Sequence, residues 1–180
     1  MKIMKKFGVL TLLIVLFTAC GPTKDNASEK ISELEKQLFS NTNSSVNKIE
    51  ADELIVYYLE FAEKFPEDSL VPDYLFKAAD ISMNILESSN AIDIYNEIID
   101  NYPDYKKAPE CLFLKGFVYE NNLHDLVNAR KYYSEFVKKS PNNDFADDAQ
   151  MSLKNLGKSP EELIKEFEDK MKQGDNGMME

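Results

Sequence analysis

The sequence predicts an all-α protein in which helical hairpins repeat along the chain. Between Lys48 and Gly157 the apolar residues recur at helical spacing, and the alternation typical of β-strands is absent. Three prolines in this stretch, Pro66, Pro103 and Pro141, lie 37 and 38 residues apart. An interval of this size is typical of helical hairpins that stack on one another. We therefore predict a helix-turn-helix solenoid, wound as a right-handed superhelix and preceded by a signal peptide and a tether.

The first nineteen residues predict export. Three lysines precede an apolar run from Phe7 to Phe17, which is shorter than the roughly 20 apolar residues that a membrane-spanning helix needs. The run ends in Phe-Thr-Ala-Cys at positions 17–20, which resembles the bacterial lipobox, where a cysteine receives diacylglycerol before cleavage. The resemblance implies that Cys20 is lipidated and becomes the first mature residue. The alternative is an ordinary secretory signal with a chance cysteine.

Residues 20–45 are predicted to form a lipid-anchored tether that carries one short helix. Residues 21–28 are small and polar, as in flexible linkers. Ser28 to Phe39 is amphipathic at helical spacing, and the Asn and Ser residues at 41–45 favour a loop. We therefore expect the compact domain to span residues 46–169.

Within residues 46–169 the breaks in the helical pattern define the repeats. Lys48 to Phe65 predicts the second helix of an incomplete first repeat, and two full repeats follow at about 67–103 and 104–141. Asn143 to Leu156 predicts a further first helix. Ser159 begins the last helix, because it can serve as an N-cap, followed by a proline at the first helical position and a capping-box glutamate. Residues 170–180 are charged and contain glycine, so we expect a flexible tail.

The same residue types recur at the same spacing in each repeat. A small residue in the first helix lets the second helix cross closely, an aromatic residue fills the space beside the crossing, and a proline ends the second helix. We expect Gly116 to lie opposite Ala129. The recurring residues are the small residues Ala79 and Gly116, the alanines Ala91 and Ala129, and the tyrosines Tyr58, Tyr95 and Tyr133, each eight residues before a proline. This pattern resembles the tetratricopeptide repeat.

The lipobox-like segment and the repeats together suggest a narrower group. The strings EFAEKFPEDSLVPDYLFKAADISMNIL and YPDYKKAPECLFLKGFVYENN resemble tetratricopeptide lipoproteins of Bacteroidetes-type bacteria. Their repeats are similar to those of the outer-membrane β-barrel assembly lipoprotein and of the periplasmic coordinator associated with the Tol-Pal system. The resemblance implies a cell-envelope protein, anchored in the outer membrane on the periplasmic side. The chain is shorter than the assembly lipoprotein and lacks the long coiled coil of the coordinator.

Composition and charge disfavour several classes of function. Without residues 1–19 the chain has 18 basic and 32 acidic residues, a net charge of −14, which repels nucleic acids and anionic head groups. One histidine and two cysteines cannot form a Cys/His zinc cluster. We expect His124 in a turn, Cys111 in the core, and the carboxylate pairs at helix starts. We therefore predict no catalytic residues, no metal, no cofactor beyond the lipid on Cys20, and no nucleic-acid partner.

The remaining candidate site is a groove formed by the first helices of the repeats. We expect it to bind a protein or peptide, because an aromatic floor with polar rims suits such recognition. Two alternatives stay open: Phe76 and Phe113 could belong to the core, and the segment Ile31 to Phe39 could dock in the groove. The predicted groove residues are Asp73, Phe76, Lys77, Asp80, Met83 and Asn84 from one repeat and Glu110, Phe113, Leu114, Phe117, Glu120 and Asn121 from the next.

The predicted function is therefore that of a protein-binding scaffold or adaptor in the cell envelope. Within the same fold, the alternative is an accessory factor in outer-membrane protein assembly or envelope division. From another class, the alternative is a small-ligand carrier or an enzyme that uses the groove. A closed apolar pocket with a convergent charge would favour the carrier, and an open groove across both repeats would favour the adaptor.

Overall fold

The computed structural model describes residues 23–40 and 47–176, and it confirms the all-α solenoid prediction. Cys20 and the signal segment lie outside these residues. The described part of the chain contains helices and no strand. The helices are α1 (Lys24–Ser40), α2 (Lys48–Lys64), α3 (Val71–Asn84), α4 (Ser88–Asn101), α5 (Ala108–Asn121), α6 (Leu126–Lys139), α7 (Ala146–Asn155) and α8 (Pro160–Asn176).

Consecutive helices from α1 to α7 pack against one another, as expected of a stacked array. The turn that follows each second helix has the same geometry three times. The C-cap residues Phe65, Tyr102 and Ser140 have φ between −134° and −129° and ψ between 54° and 56°. Each of them immediately precedes one of the three spaced prolines, and a residue before proline is driven out of the helical region. The prolines therefore set the repeat boundaries that the sequence predicted.

The start of the array differs from the sequence prediction. Helix α1 begins at Lys24, four residues before the predicted start at Ser28, and it buries Ile31, Leu34 and Leu38 in the same apolar cluster as α2 and α3. An ion pair of 2.5 Å between Lys24 and Asp68 connects its first turn to the turn between α2 and α3. Helix α1 therefore packs against α2 and belongs to the packed body, although the sequence assigned it to the tether.

The core contains the residues that define the repeat. The three tyrosines Tyr58, Tyr95 and Tyr133 are fully buried, and a second cluster around Tyr133 includes Ala129 and Phe136. A Cβ atom on Gly116 would lie 2.6 Å from Cδ1 of Tyr133. The close crossing predicted at Gly116 is therefore present. However, the side chain packed closest to it is Tyr133, one turn further along α6 than the predicted Ala129.

The last helix has the predicted cap but little packing. The Ser159 hydroxyl accepts a hydrogen bond from the Glu162 N–H at 3.2 Å, and the Glu162 carboxylate accepts one from the Ser159 N–H at 2.8 Å, so the capping box is confirmed. The helix continues to Asn176, past the predicted start of the tail at residue 170. None of its described side chains is buried, and Ile164, Phe167 and Met171 form an exposed apolar stripe.

Candidate functional site

The twelve predicted groove residues lie on α3 and α5, the first helices of two successive repeats, and differ in exposure. Half of them are exposed to solvent: Asp73, Lys77, Asp80, Asn84, Phe117 and Asn121. The other half are partly buried: Phe76, Met83, Glu110, Phe113, Leu114 and Glu120. The face therefore combines a partly buried floor with an exposed and mostly polar rim.

Phe76 lies at the centre of an aromatic group between α3 and α5. Its ring is 6.3 Å from the rings of both Tyr95 and Tyr105, in edge-on arrangements. The Lys107 ammonium lies 4.4 Å from its ring centroid, a cation–π contact. The Tyr105 hydroxyl donates to the Asp73 carboxylate at 2.7 Å. Phe76 is thus held in place from several sides and is a partly buried residue of the groove floor.

Phe113 and Phe117, four residues apart on α5, have different surroundings. The Phe113 ring packs at 5.1 Å from Phe145, 5.6 Å from Tyr133 and 5.7 Å from Phe136. Phe117 is 39% exposed. Phe113 therefore contributes to core packing, whereas Phe117 offers an aromatic surface to solvent. Truncation of Phe113 would test the fold, and truncation of Phe117 would test binding.

Helix α1 forms a wall of the groove and does not cover it. The Glu35 carboxylate on α1 accepts hydrogen bonds from the Tyr58 hydroxyl on α2 and the Lys77 ammonium on α3, both at 2.6 Å. Burial raises the pKa of Glu35, but these two hydrogen bonds outweigh it, so that its pKa lies below the ordinary value. The apolar side of α1 enters the core while Asp80 and Phe117 stay exposed. The segment Ile31 to Phe39 therefore lies beside the groove and leaves these two groove residues exposed.

The buried tyrosines have different hydrogen-bond partners in successive repeats. The Tyr58 hydroxyl donates to Glu35, and the Tyr133 hydroxyl donates to Glu120 at 2.8 Å. The Tyr95 hydroxyl is buried and has no hydrogen-bond partner among the described residues. Glu120 stands four residues after the small residue of its repeat, Gly116, and the position four residues after Ala79 is Met83. The middle repeat therefore has a thioether where the last full repeat has a carboxylate acceptor.

A pocket of about 430 Å³ opens where the C-terminal ends of α1 and α3 meet. It is half enclosed, and most of its lining is apolar. Although the Asp80 side chain is exposed, the surrounding protein partly desolvates its carboxylate and raises its pKa above the ordinary value, and nearby Lys107 lowers it to a smaller extent. The lining residues are Leu38, Phe39, Lys48, Asp80, Ile81, Asn84 and Ile85. Asp80 and Asn84 were predicted groove residues, and Leu38 and Phe39 belong to the segment Ile31 to Phe39 for which the sequence left docking in the groove open.

The other titratable candidates occupy structural positions. His124 lies in the exposed turn before α6 with φ of 53°, and burial raises the pKa of the Cys111 thiol to about 12. Across residues 23–40 and 47–176, no three His, Cys, Asp or Glu side chains lie close enough together to hold a metal ion.

None of the described helices is both long enough and apolar enough to cross a membrane. A larger surface depression of about 540 Å³, at the turn between α2 and α3, has a mainly polar lining.

Comparison with known families agrees with this geometry. The tetratricopeptide-repeat family model matches residues 73–105 and 110–143, which correspond to the hairpins α3–α4 and α5–α6. The chain contains tetratricopeptide repeats. These matches confirm the two full repeats that the sequence predicted, and α1 and α2 form a further pair of packed helices before them. No curated protein matches the chain.

Proposed function

We propose that this protein is a bacterial envelope lipoprotein of the Bacteroidetes type that binds a protein or peptide partner on the groove face of its repeats. Tetratricopeptide repeats are typically protein-interaction modules. The observation that carries the proposal is the exposure of Phe117, which follows the small residue Gly116 of its repeat as the exposed Asp80 follows Ala79 in the preceding one. Exposed aromatic residues beside polar groups are frequent binding hot spots. The repeats thus serve as a rigid scaffold that presents this face.

The lipid anchor would hold this face near a membrane. The proposal places diacylglycerol on Cys20 and the repeats on the periplasmic side of the outer membrane, with the lipid as the only contact with the bilayer. A net charge of −14 after processing disfavours anionic surfaces and nucleic acids. The Cys20→Ser variant should accumulate as an unprocessed or mislocalised precursor without palmitate label. If wild type and variant fractionate identically and neither takes up label, the anchoring part of the proposal is wrong.

Truncation of exposed and packed aromatic residues tests the groove itself. Phe117→Ala should leave thermal unfolding nearly unchanged and weaken partner capture by about 2 kcal/mol, the scale of an aromatic hot spot, or roughly 30-fold in Kd. Val127, which is 80% exposed on α6, provides the matched control Val127→Ala, which should change neither property. Phe113→Ala should instead destabilise the fold by about 3–5 kcal/mol.

The assay is crosslinked affinity purification from detergent-solubilised envelopes, with melting measured on the same samples. The adaptor role requires capture to fall while the melting temperature holds. Capture that depends on Cys20 alone, and is the same for wild type and Phe117→Ala, would contradict binding through the groove. Identification of the captured protein also separates a general adaptor from an accessory factor in outer-membrane protein assembly or envelope division.

A small-ligand carrier is the second candidate, and the pocket at Asp80 favours it. Its volume falls in the range of small-molecule sites, and its lining is mainly apolar with one carboxylate. A carrier would retain a small molecule through purification in detergent. Mass spectrometry of the denatured protein should therefore find a stoichiometric compound if the carrier role holds, and none if the adaptor role holds.

A further inference from the structure

The pocket between the ends of α1 and α3 has a charge pattern that selects its occupant. Among the described residues that line it, Asp80 is the only acidic one. No described residue donates a hydrogen bond to the Asp80 carboxylate, while the Asn84 amide bonds only to the Asp80 backbone carbonyl at 2.8 Å. The carboxylate is therefore available to an incoming donor.

Lys48, the one cation among the described lining residues, is already paired. The Lys48 ammonium contacts Glu87 at 2.5 Å and Asp52 at 3.3 Å. Lys107, the cation that lowers the pKa of Asp80, lies against the ring of Phe76. Neither lysine forms an ion pair with Asp80 within the described part of the chain, so a further cation would not displace an existing partner.

Helix ends also contribute to the potential of the pocket. It lies at the C-terminal ends of α1 and α3, neither of which has a basic residue in its last turn, and Lys48 places the positive N-terminal end of α2 beside them. The C-terminus of a helix carries a partial negative charge that favours a nearby cation. The apolar wall is formed by Leu38, Phe39 and Ile81, and the ring of Phe39 is 59% exposed.

We propose that this pocket receives an arginine side chain of the partner protein, and this inference rests on the proposed function. The methylene stem would pack on the apolar wall and the guanidinium would donate to the Asp80 carboxylate. A guanidinium also stacks well on an aromatic face such as that of Phe39, which a lysine ammonium does less effectively. An anionic side chain would be repelled by the carboxylate, and a neutral one could donate a hydrogen bond but would bring no positive charge, so the site favours a cation.

A pair of matched small probes tests the pocket on the purified lipoprotein in detergent. N-acetyl-arginine methylamide carries the guanidinium, and N-acetyl-citrulline methylamide is its neutral near-isostere. In NMR titrations the arginine probe should shift the amide resonances of Ile81, Asn84 and Ile85 at least tenfold more tightly than the citrulline probe. Asp80→Asn should remove this difference, and the exposed α4 control Asp93→Asn should retain it.

Partner capture then separates the two proposals. Asp80→Asn should weaken capture about tenfold at low salt and less at high salt, because screening weakens the contact. Equal binding of the two probes, or capture that is unchanged in Asp80→Asn, overturns the arginine inference even if capture still depends on Phe117. If capture depends on Asp80 but not on Phe117, the arginine inference stands and the aromatic anchor of the proposed function is wrong.

Discussion

Removal of the hydroxyl group should lower the free energy of unfolding at Tyr58 and Tyr133 but not at Tyr95, although the three tyrosines hold equivalent positions in their repeats. A Tyr→Phe substitution keeps the ring, so that packing of each fully buried side chain is retained. At Tyr58 and Tyr133 it removes a hydrogen bond to a carboxylate, which contributes about 1.5–3 kcal/mol when the acceptor is charged. Glu35 and Glu120 are only partly buried, and solvent screening places the expected loss near 1.5 kcal/mol.

At Tyr95 the same substitution removes a buried hydroxyl without a partner. The Tyr95→Phe variant should therefore unfold with an unchanged or higher free energy, by up to about 1 kcal/mol. Urea unfolding measures the difference, since a small domain has a slope of roughly 1–3 kcal/mol per molar urea. The midpoints of Tyr58→Phe and Tyr133→Phe should fall by roughly 0.5–1.5 M, and that of Tyr95→Phe should not fall.

A double-mutant cycle tests the stated cause of this difference. If Met83 occupies the acceptor position of the middle repeat, Met83→Glu should give the Tyr95 hydroxyl a partner, and Tyr95→Phe should then become destabilising in that background. The coupling free energy of the cycle is independent of the separate cost of placing a carboxylate at residue 83. Equal losses for all three phenylalanine variants, with no coupling to Met83→Glu, would refute the reasoning.

Three further predictions concern the fold. Gly116→Ala should lower the free energy of unfolding by about 1–3 kcal/mol, because its Cβ would meet the Tyr133 ring at 2.6 Å, and a raised urea midpoint would mean that the crossing can open. The folded state raises the pKa of all three repeat tyrosines. The stability that this contributes is complete below the ordinary tyrosine pKa of about 10 and is lost as the pH rises above it, so the free energy of unfolding should fall less steeply above pH 10 in the Tyr133→Phe chain than in the wild type. In a Cys20→Ser chain, burial of Cys111 should limit its labelling by a thiol reagent to the rate of unfolding, and immediate labelling of the native protein would contradict that burial.

A deletion of α8 should cost little stability, because none of its described side chains is buried. Chains that end at Lys158 should unfold in urea with a free energy within about 0.5 kcal/mol of that of the full chain, as expected for the loss of surface contacts. A large drop would show that the helix packs on the array more closely than its exposed side chains indicate.

The sequence by itself determined the class of the fold and the repeat boundaries, because these depend on local physics. Helical periodicity, the loss of helix at prolines and the demand for a small residue at a close crossing all act within a few residues of where they are encoded. The Ser159 capping box formed for the same reason. The two full repeats were therefore placed correctly along the chain.

The assignment of α1 needed the tertiary structure. Its sequence is that of an amphipathic helix next to a polar segment, which fits a tether as well as a repeat. The longer connection before α2 hid the repeat spacing. Only the burial of Ile31, Leu34 and Leu38 against α2 and α3 shows that it belongs to the array. A periodic pattern predicts an apolar face, but the partner of that face is set by packing over long sequence distances.

The character of the groove was also decided by the tertiary structure. Phe113 and Phe117 have the same spacing and chemistry in the sequence, yet one packs against three rings and the other is 39% exposed. A shift of one residue on a helix turns a side chain by about 100°, so periodicity cannot separate floor from rim at single positions. The Asp80 pocket brings Leu38 and Phe39 together with Ile81, Asn84 and Ile85, which lie more than 40 positions later in the chain. Contacts of that range are created by folding, so residue spacing along the chain could not reveal them.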